Sequence, residues 1–428
     1  MGNYFHFISK KSNYKKNFIS KYLNNIYHYR KLIINEPPND NIIFDNKDIS
    51  KDYINKISNK QKIIKKRNAA IDLLRIITMI GIVYTHVLYQ GKGYYKYYRY
   101  KKTLKSLYTY VFWHNNVYGL ISGMVGYKST KYSNLLYIWL CVVFYSVSIR
   151  YYYLKYKKGA IVKGDLFKEC FPIIYVRYWY CTSYFGMFMF LPAINKGIQY
   201  LNKSEFKLLV MSIYYIFVFW QTYINNKFDT FLFNGGHSPI WLACLYIIGA
   251  YIGKFNIIFT GIKRYIFSFI YFFIFLMLCS LFNNFRDYII FYFSGNKIQL
   301  RAFIKMLMSR KLYHVIRTTL AIFITLFFLQ LKYNKSLSKI ITFCGPLTFG
   351  IYLIHFNSNV LHNYLGKIFN QESYNLTANE VIKMLILKSL KLFMVCISIE
   401  YLRYSLFSIL KIRNICIYIE KIVFKIVN

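Results

Sequence analysis

Ile71 to His86 reads IDLLRIITMIGIVYTH. The run is apolar, yet it carries Asp72, Arg75 and His86, three groups that hydrocarbon accepts only at a cost. Read as a helix, it puts Arg75 and His86 on one face. They are eleven positions apart, and eleven steps of about 100° bring a side chain back to within roughly 20° of its start. At ~1.5 Å per residue the two stand about 16 Å apart along the axis, near half of a ~30 Å hydrocarbon core. The spacing therefore predicts an arginine near one membrane surface and a histidine near the middle. Asp72 lies one turn before Arg75 and can pair with it. An ionisable residue in mid-membrane points to a functional site.

The rest of the chain has the same character. Of its 428 residues, 56% are hydrophobic and 21% aromatic, which leaves too little polar surface for a soluble domain of this size. Repeated apolar runs of about twenty residues indicate membrane-spanning helices. Barrel strands would alternate over about ten residues, and these runs do not. The expected fold is all-α, a polytopic transmembrane bundle of about ten spans. These fall near 70–90, 107–127, 133–154, 171–194, 207–225, 238–253, 258–282, 312–331, 342–364 and 389–410.

Three regions follow: a basic tail over 1–67, a transmembrane domain over 68–410, and a short basic tail over 411–428. The first tail carries net charge +10 and lacks a continuous apolar stretch, so it reads as a disordered cytoplasmic segment rather than a signal peptide or a span. Lys65, Lys66 and Arg67 abut the first span and favour a cytoplasmic N-terminus. An even number of spans returns the C-terminus to the same side. The inner loops at Lys254 to Arg264 and Lys332 to Lys339 agree with that orientation. The basic stretches Lys92 to Lys105 and Arg286 to Lys311 fall on the outer side and do not. The loop over 365–381 holds the sequon Asn375-Leu376-Thr377 and would face outward.

The formal charge of the whole chain is +42, from 57 Lys and Arg against 15 Asp and Glu. A nucleic-acid partner would need that charge on a soluble face. Here it lies in a tail and in short loops, so the expected partners are the lipid bilayer and a phosphate-bearing ligand, with no nucleic acid. Anionic headgroups contribute ~1 kcal/mol per basic residue near the surface. An AT-rich coding bias would enrich Lys, Asn, Ile and Tyr equally well. The eight cysteines are scattered, with no C-x-x-C and no metal-ligand spacing, and read as small buried apolar residues.

The Asp72–His86 helix and three later stretches carry a resemblance. These are Leu120 to Lys128 (LISGMVGYK), Tyr178 to Asn195 (YWYCTSYFGMFMFLPAIN) and Leu347 to His355 (LTFGIYLIH). Together, and in this order, they resemble the acyltransferase-3 family of integral membrane O-acyltransferases. The resemblance implies ten spans, acetyl-CoA or another short acyl-CoA as donor with no bound cofactor, and transfer to a hydroxyl. The acceptor it implies is a carbohydrate or glycan on the far side of the membrane. A plasma-membrane location is expected.

On chemistry, a neutral imidazole at His86 can take a proton from a hydroxyl near pH 7; the simpler reading is a histidine bonding across to a neighbouring helix. Arg75 can grip a phosphate or pyrophosphate bidentately, or merely snorkel with Asp72 as partner. Asp72 reads as its orienter. Tyr352 and His355 are three apart and share a face, so His355 can join proton transfer or position the acceptor. Asn116 could bond a carbohydrate or a donor carbonyl. Ser122, with Gly123 and Gly126, suits either a ligand or close packing against the first helix. Arg177, Trp179 and Tyr184 suit a sugar or the donor's pantetheine arm, and equally an interfacial aromatic belt. Glu400 and Arg403 read as a self-neutralising pair. No metal is required. The competing reading is a transporter of a sugar polymer or anion, which uses intramembrane Arg, His and Glu in the same way; the inverted repeat such proteins show is not evident.

Overall fold

A computed structural model describes residues 67–128, 130–157, 166–223, 229–255, 257–292 and 311–427. The tail expected over 1–67 lies almost wholly outside them. Every regular element among the described residues is helical.

The hub is α1, Ala69–Tyr89. Asn68 starts it: its side chain accepts from the Ala70 N–H at 2.9 Å, meeting one of the donors a helix start leaves over. Around α1 stand α2 (Lys101–Thr109), α3 (His114–Gly126), α4 (Tyr132–Tyr156), α5 (Trp179–Phe188), α6 (Leu191–Tyr200), α7 (Lys203–Ile213) and α8 (Pro239–Phe255). Then come α9 (Gly261–Tyr292), α10 (Val315–Gln330), α11 (Lys335–Cys344), α12 (Thr348–His355), α13 (Ser358–Asn363), α14 (Ala378–Ile409) and α15 (Ile412–Val427). Helix α1 packs directly on α3, α10, α11, α12 and α14, so its ionisable face looks into protein.

Among the described residues, four helical stretches are long and apolar enough to cross a membrane: Ala69–Tyr89, Tyr132–Tyr156, Gly261–Asn284 and Lys335–His355. Pro239–Phe255 and Val315–Gln330 are apolar but shorter. The protein is an integral membrane helical bundle, but several expected spans are not single helices. The run over 107–127 divides into α2 and α3 at a turn over 110–113, and the run over 171–194 divides into a turn, α5 and the start of α6. The last expected span, but for Leu410, lies within the longer α14, which carries Lys383, Lys388, Lys391, Glu400 and Arg403.

Two devices hold the bundle. The first is a glycine-to-backbone contact between α3 and α8. A Cβ on Gly123 would strike the Tyr246 carbonyl, and one on Gly249 would strike the Leu120 carbonyl. Without side chains there, the two backbones approach as closely as membrane helices do at small-residue seams. The LISGMVGYK glycines therefore pack on α8, where the sequence reading had offered the first helix. The second device is a buried ion pair on α14. Glu400 and Arg403 are 1% and 6% exposed and bond each other. Neighbours on α4 complete them: the Tyr145 hydroxyl donates to Glu400 at 2.6 Å, and Arg403 donates to the Tyr137 hydroxyl at 3.0 Å. A charge pair taken out of water needs such extra partners to offset its desolvation.

The stretch after α14 is more than a tail. Over Ile412–Val427 it is helical and packs on α4, where Glu420 accepts from the Tyr132 N–H at 2.7 Å.

Candidate active site

His86 lies in the last turn of α1. Its Nδ1 meets His355 Nε2 at 2.9 Å, and His355 Nδ1 meets the Ile351 carbonyl at 2.6 Å. The proton positions follow from chemistry. A carbonyl only accepts, so His355 Nδ1 carries a proton; a neutral His355 then has a bare Nε2, which must accept from His86 Nδ1–H. This leaves the second nitrogen of a neutral His86, Nε2, as an unprotonated lone pair.

The supporting geometry is specific. The His86 ring stacks on Phe356, centroids 4.9 Å apart at 29°, and Phe356 stacks on Tyr352 at 5.4 Å. His355 is fully buried. The end of its helix α12 is pinned by Tyr178, whose hydroxyl donates to the Leu353 carbonyl at 3.0 Å and accepts from Asn357 at 3.0 Å. Asn357 breaks the helix here because its side chain caps α13, accepting from the Asn359 N–H.

His86 borders a cavity of about 350 Å³. Also on its wall are Tyr108, His114, Asn115, His237 and Arg317, and it opens at the C-terminal end of α1 beside Gln90 and the exposed Tyr95. His114 Nδ1 bonds the Val111 carbonyl and His237 Nδ1 bonds the Asn234 carbonyl. By the same reasoning each neutral ring keeps Nε2 as an acceptor. Arg317 is 3% exposed, lies over the Phe112 ring, and donates to the Tyr108 hydroxyl at 2.7 Å. The wall thus offers several imidazole acceptors and a guanidinium donor beside His86.

The other end of α1 carries a separate cluster. Asp72 is 1% exposed and holds two arginines. Arg75 reaches its Oδ1 at 2.6 Å, while Arg67 bonds both carboxylate oxygens, at 2.6 and 2.8 Å. Gly345 makes room, since a Cβ there would collide with the Asp72 carboxylate. Two guanidinium groups against one carboxylate leave a net positive charge, with Arg67 about half exposed.

A family model described as an acyltransferase domain matches residues 68–399. The chain belongs to the acyltransferase-3 family. No curated protein and no solved structure matches it. In this acyltransferase-3 chain the matched region takes in the His86–His355 pair, Asp72 and Arg75, and begins one residue after Arg67.

The remaining expected site residues fall elsewhere. Asn116 is 1% exposed and committed to packing. Its amide nitrogen donates to the Leu312 carbonyl at 2.7 Å and to Thr318, and its oxygen accepts from the Trp241 ring nitrogen. Its neighbour Asn115 lines the cavity instead. Ser122 spends its proton on the Tyr118 carbonyl one turn back. Arg177 pairs with the buried Glu169 at 3.0 Å. Tyr184 packs beside Phe188 in a separate apolar cluster. Trp179 borders the cavity through His237, with ring centroids 4.3 Å apart. In the basic stretch Lys92 to Lys105, Lys96 and Arg99 are taken up by backbone carbonyls of Phe369, Glu372 and Leu376, so they staple loops together and are not offered to an acceptor. The second basic stretch lies largely outside the described residues.

Sequence reading passed over Arg67, His114, His237 and Arg317 as site residues. Arg317 carried a usable signal, an arginine inside the apolar run VIRTTLAIF.

Proposed function

We propose that this acyltransferase moves an acetyl or other short acyl group from acyl-CoA to a hydroxyl of a carbohydrate or glycan, with His86 as general base. The observation that carries the reading is the hydrogen-bond relay from His86 through His355 to the Ile351 carbonyl. It fixes the tautomer whose free Nε2 can take a proton, and His86 borders the cavity. A second group that sets the tautomer of a catalytic histidine is a recurrent device in acyl transfer.

The steps balance. The acceptor O–H gives its proton to His86 Nε2 as its oxygen attacks the thioester carbonyl. The C–S bond then breaks, and the departing sulfur takes the proton back from the imidazolium. The products are an ester and the free CoA thiol. In this reading His355 does not touch the substrate. It is a positioning residue that orients His86 and accepts from the imidazolium. The guanidinium group and the imidazole acceptors around the cavity suit a hydroxyl-rich acceptor, which both donates and accepts. Arg75 and Arg67 suit the donor's phosphates. They lie at the opposite end of α1 from the cavity mouth, so donor and acceptor approach from opposite faces. We place the N-terminal end of α1 on the cytoplasmic side, in the plasma membrane.

Sealed vesicles carrying the protein test this. Labelled acetyl-CoA supplied to the face bearing the N-terminal end of α1 is expected to label glycan, and the same donor on the other face is not. Absence of labelled glycan with the donor on either face would overturn the proposal.

A further inference from the structure

Helix α12 packs on both α1 and α14. Across the Gly345-Pro346 turn, α11 stays with α1, and a groove of about 550 Å³ opens between α11 and α14. Ile76 of α1, Ile340 and Cys344 of α11, and Phe393, Ile397 and Leu402 of α14 line it. Phe343 and Tyr401 meet at its wall, ring centroids 5.7 Å apart. The Ser398 hydroxyl is spent on the Met394 carbonyl at 2.9 Å, so the lining is almost wholly apolar. Ile340, Phe343 and Leu402 are exposed, which opens the groove to the side of the bundle. Its volume falls within the ~300–1,000 Å³ of ordinary ligand sites.

A cation stands at one end. Asp72, which Arg67 holds, lies one turn before Ile76 and rests on Gly345, the neighbour of Cys344. The Tyr404 hydroxyl, one turn past Tyr401 on α14, lies within electrostatic reach of the Arg67 guanidinium. Arg67 is thus placed at the head of the groove by all three helices that line it. Its side chain is about half exposed. Asp72 takes N–H groups on its Nε and Nη2, and a guanidinium has five such donors, so others remain for an anion. From Tyr404 back to Phe393 the groove recedes from Arg67. Phe393 to Leu402 covers about 14 Å of helix, close to the ~15 Å of hydrocarbon in a single leaflet.

A positive head followed by an apolar groove of leaflet depth is the complement of a phospholipid. We propose that this groove binds an anionic phospholipid, with its phosphate on Arg67 and one acyl chain lying along α14. Basic groups at the cytoplasmic ends of spanning helices attract anionic headgroups. Exposed Lys335 and Lys339, which precede the groove on α11, add to that field. A lipid with the same chains and a zwitterionic head gains the groove but less of the charge. The site does not depend on the donor reading.

Native mass spectrometry of the full-length protein in neutral detergent tests it. The probes are phosphatidylglycerol and phosphatidylcholine with identical chains. The wild type is expected to bind phosphatidylglycerol roughly fivefold more tightly. Arg67→Gln should abolish that preference, and Arg67→Lys, which keeps the charge, should retain it. Ser398→Trp fills the groove from an exposed position and should weaken both lipids by more than about tenfold. Equal affinity of the wild type for the two lipids would overturn the proposal. So would a preference that survives Arg67→Gln, or lipid binding unchanged by Ser398→Trp.

Discussion

At the scale of single residues, the chemistry rests on which nitrogen holds a proton. The sequence marks His86 and His355 as ionisable groups in apolar runs. It does not say that they touch, since 269 positions separate them, nor that the Ile351 carbonyl fixes both tautomers. That information exists only once α1 and α12 are packed. The relay has a consequence for His355→Ala. His86 keeps its place but loses its orienting partner, so kcat should fall by roughly tenfold to a hundredfold with the donor KM little changed. A merely structural role would lower the amount of folded protein and leave kcat per folded molecule unaltered. Asn116 shows the opposite limit of sequence reading. An Asn in an apolar helix looks like a ligand-binding group, but only the fold shows that Leu312, Thr318 and Trp241 already occupy its amide.

At the scale of elements, hydropathy locates helices but not the breaks within them. The turn between α2 and α3 consists of Tyr110, Val111, Phe112 and Trp113, so the apolar signal runs straight through it. The turn before α5 is similarly rich in apolar and aromatic residues. In the C-terminal segment the error runs the other way. Its lysines read as a basic tail, while the helix over Ile412–Val427 sits on α4 with Cys416 fully buried and Glu420 accepting from the Tyr132 N–H. The small residues of LISGMVGYK did announce close packing, though not its partner. The α3–α8 seam predicts a sharp contrast between glycines. Gly249→Ala places a methyl against the Leu120 backbone and should lower stability by at least about 1–3 kcal/mol. Gly197→Ala, which meets nothing within 4 Å, should be neutral or slightly stabilising. Thermal unfolding of the two variants in the same detergent checks this.

At the scale of the whole molecule, composition alone indicates a membrane protein built of helices, and the family match agrees over residues 68–399. Net charge was a poorer guide. Part of the +42 is used internally, as Lys96 and Arg99 tie one loop to another and Arg403 closes a buried pair. What the fold adds is an axis. Helix α1 carries a guanidinium cluster at one end and a histidine on a polar cavity at the other. In the proposed reaction this arrangement would let donor and acceptor meet without either crossing the membrane. In that proposed reaction His86 takes the acceptor's proton. The most direct measurement is the rate at which label passes from acetyl-CoA into glycan in membranes holding equal amounts of inserted wild type and His86→Ala. The predicted result is a loss of about 10²- to 10⁴-fold in the variant, the usual contribution of a general base. Equal rates in the two would rule out His86 as the base.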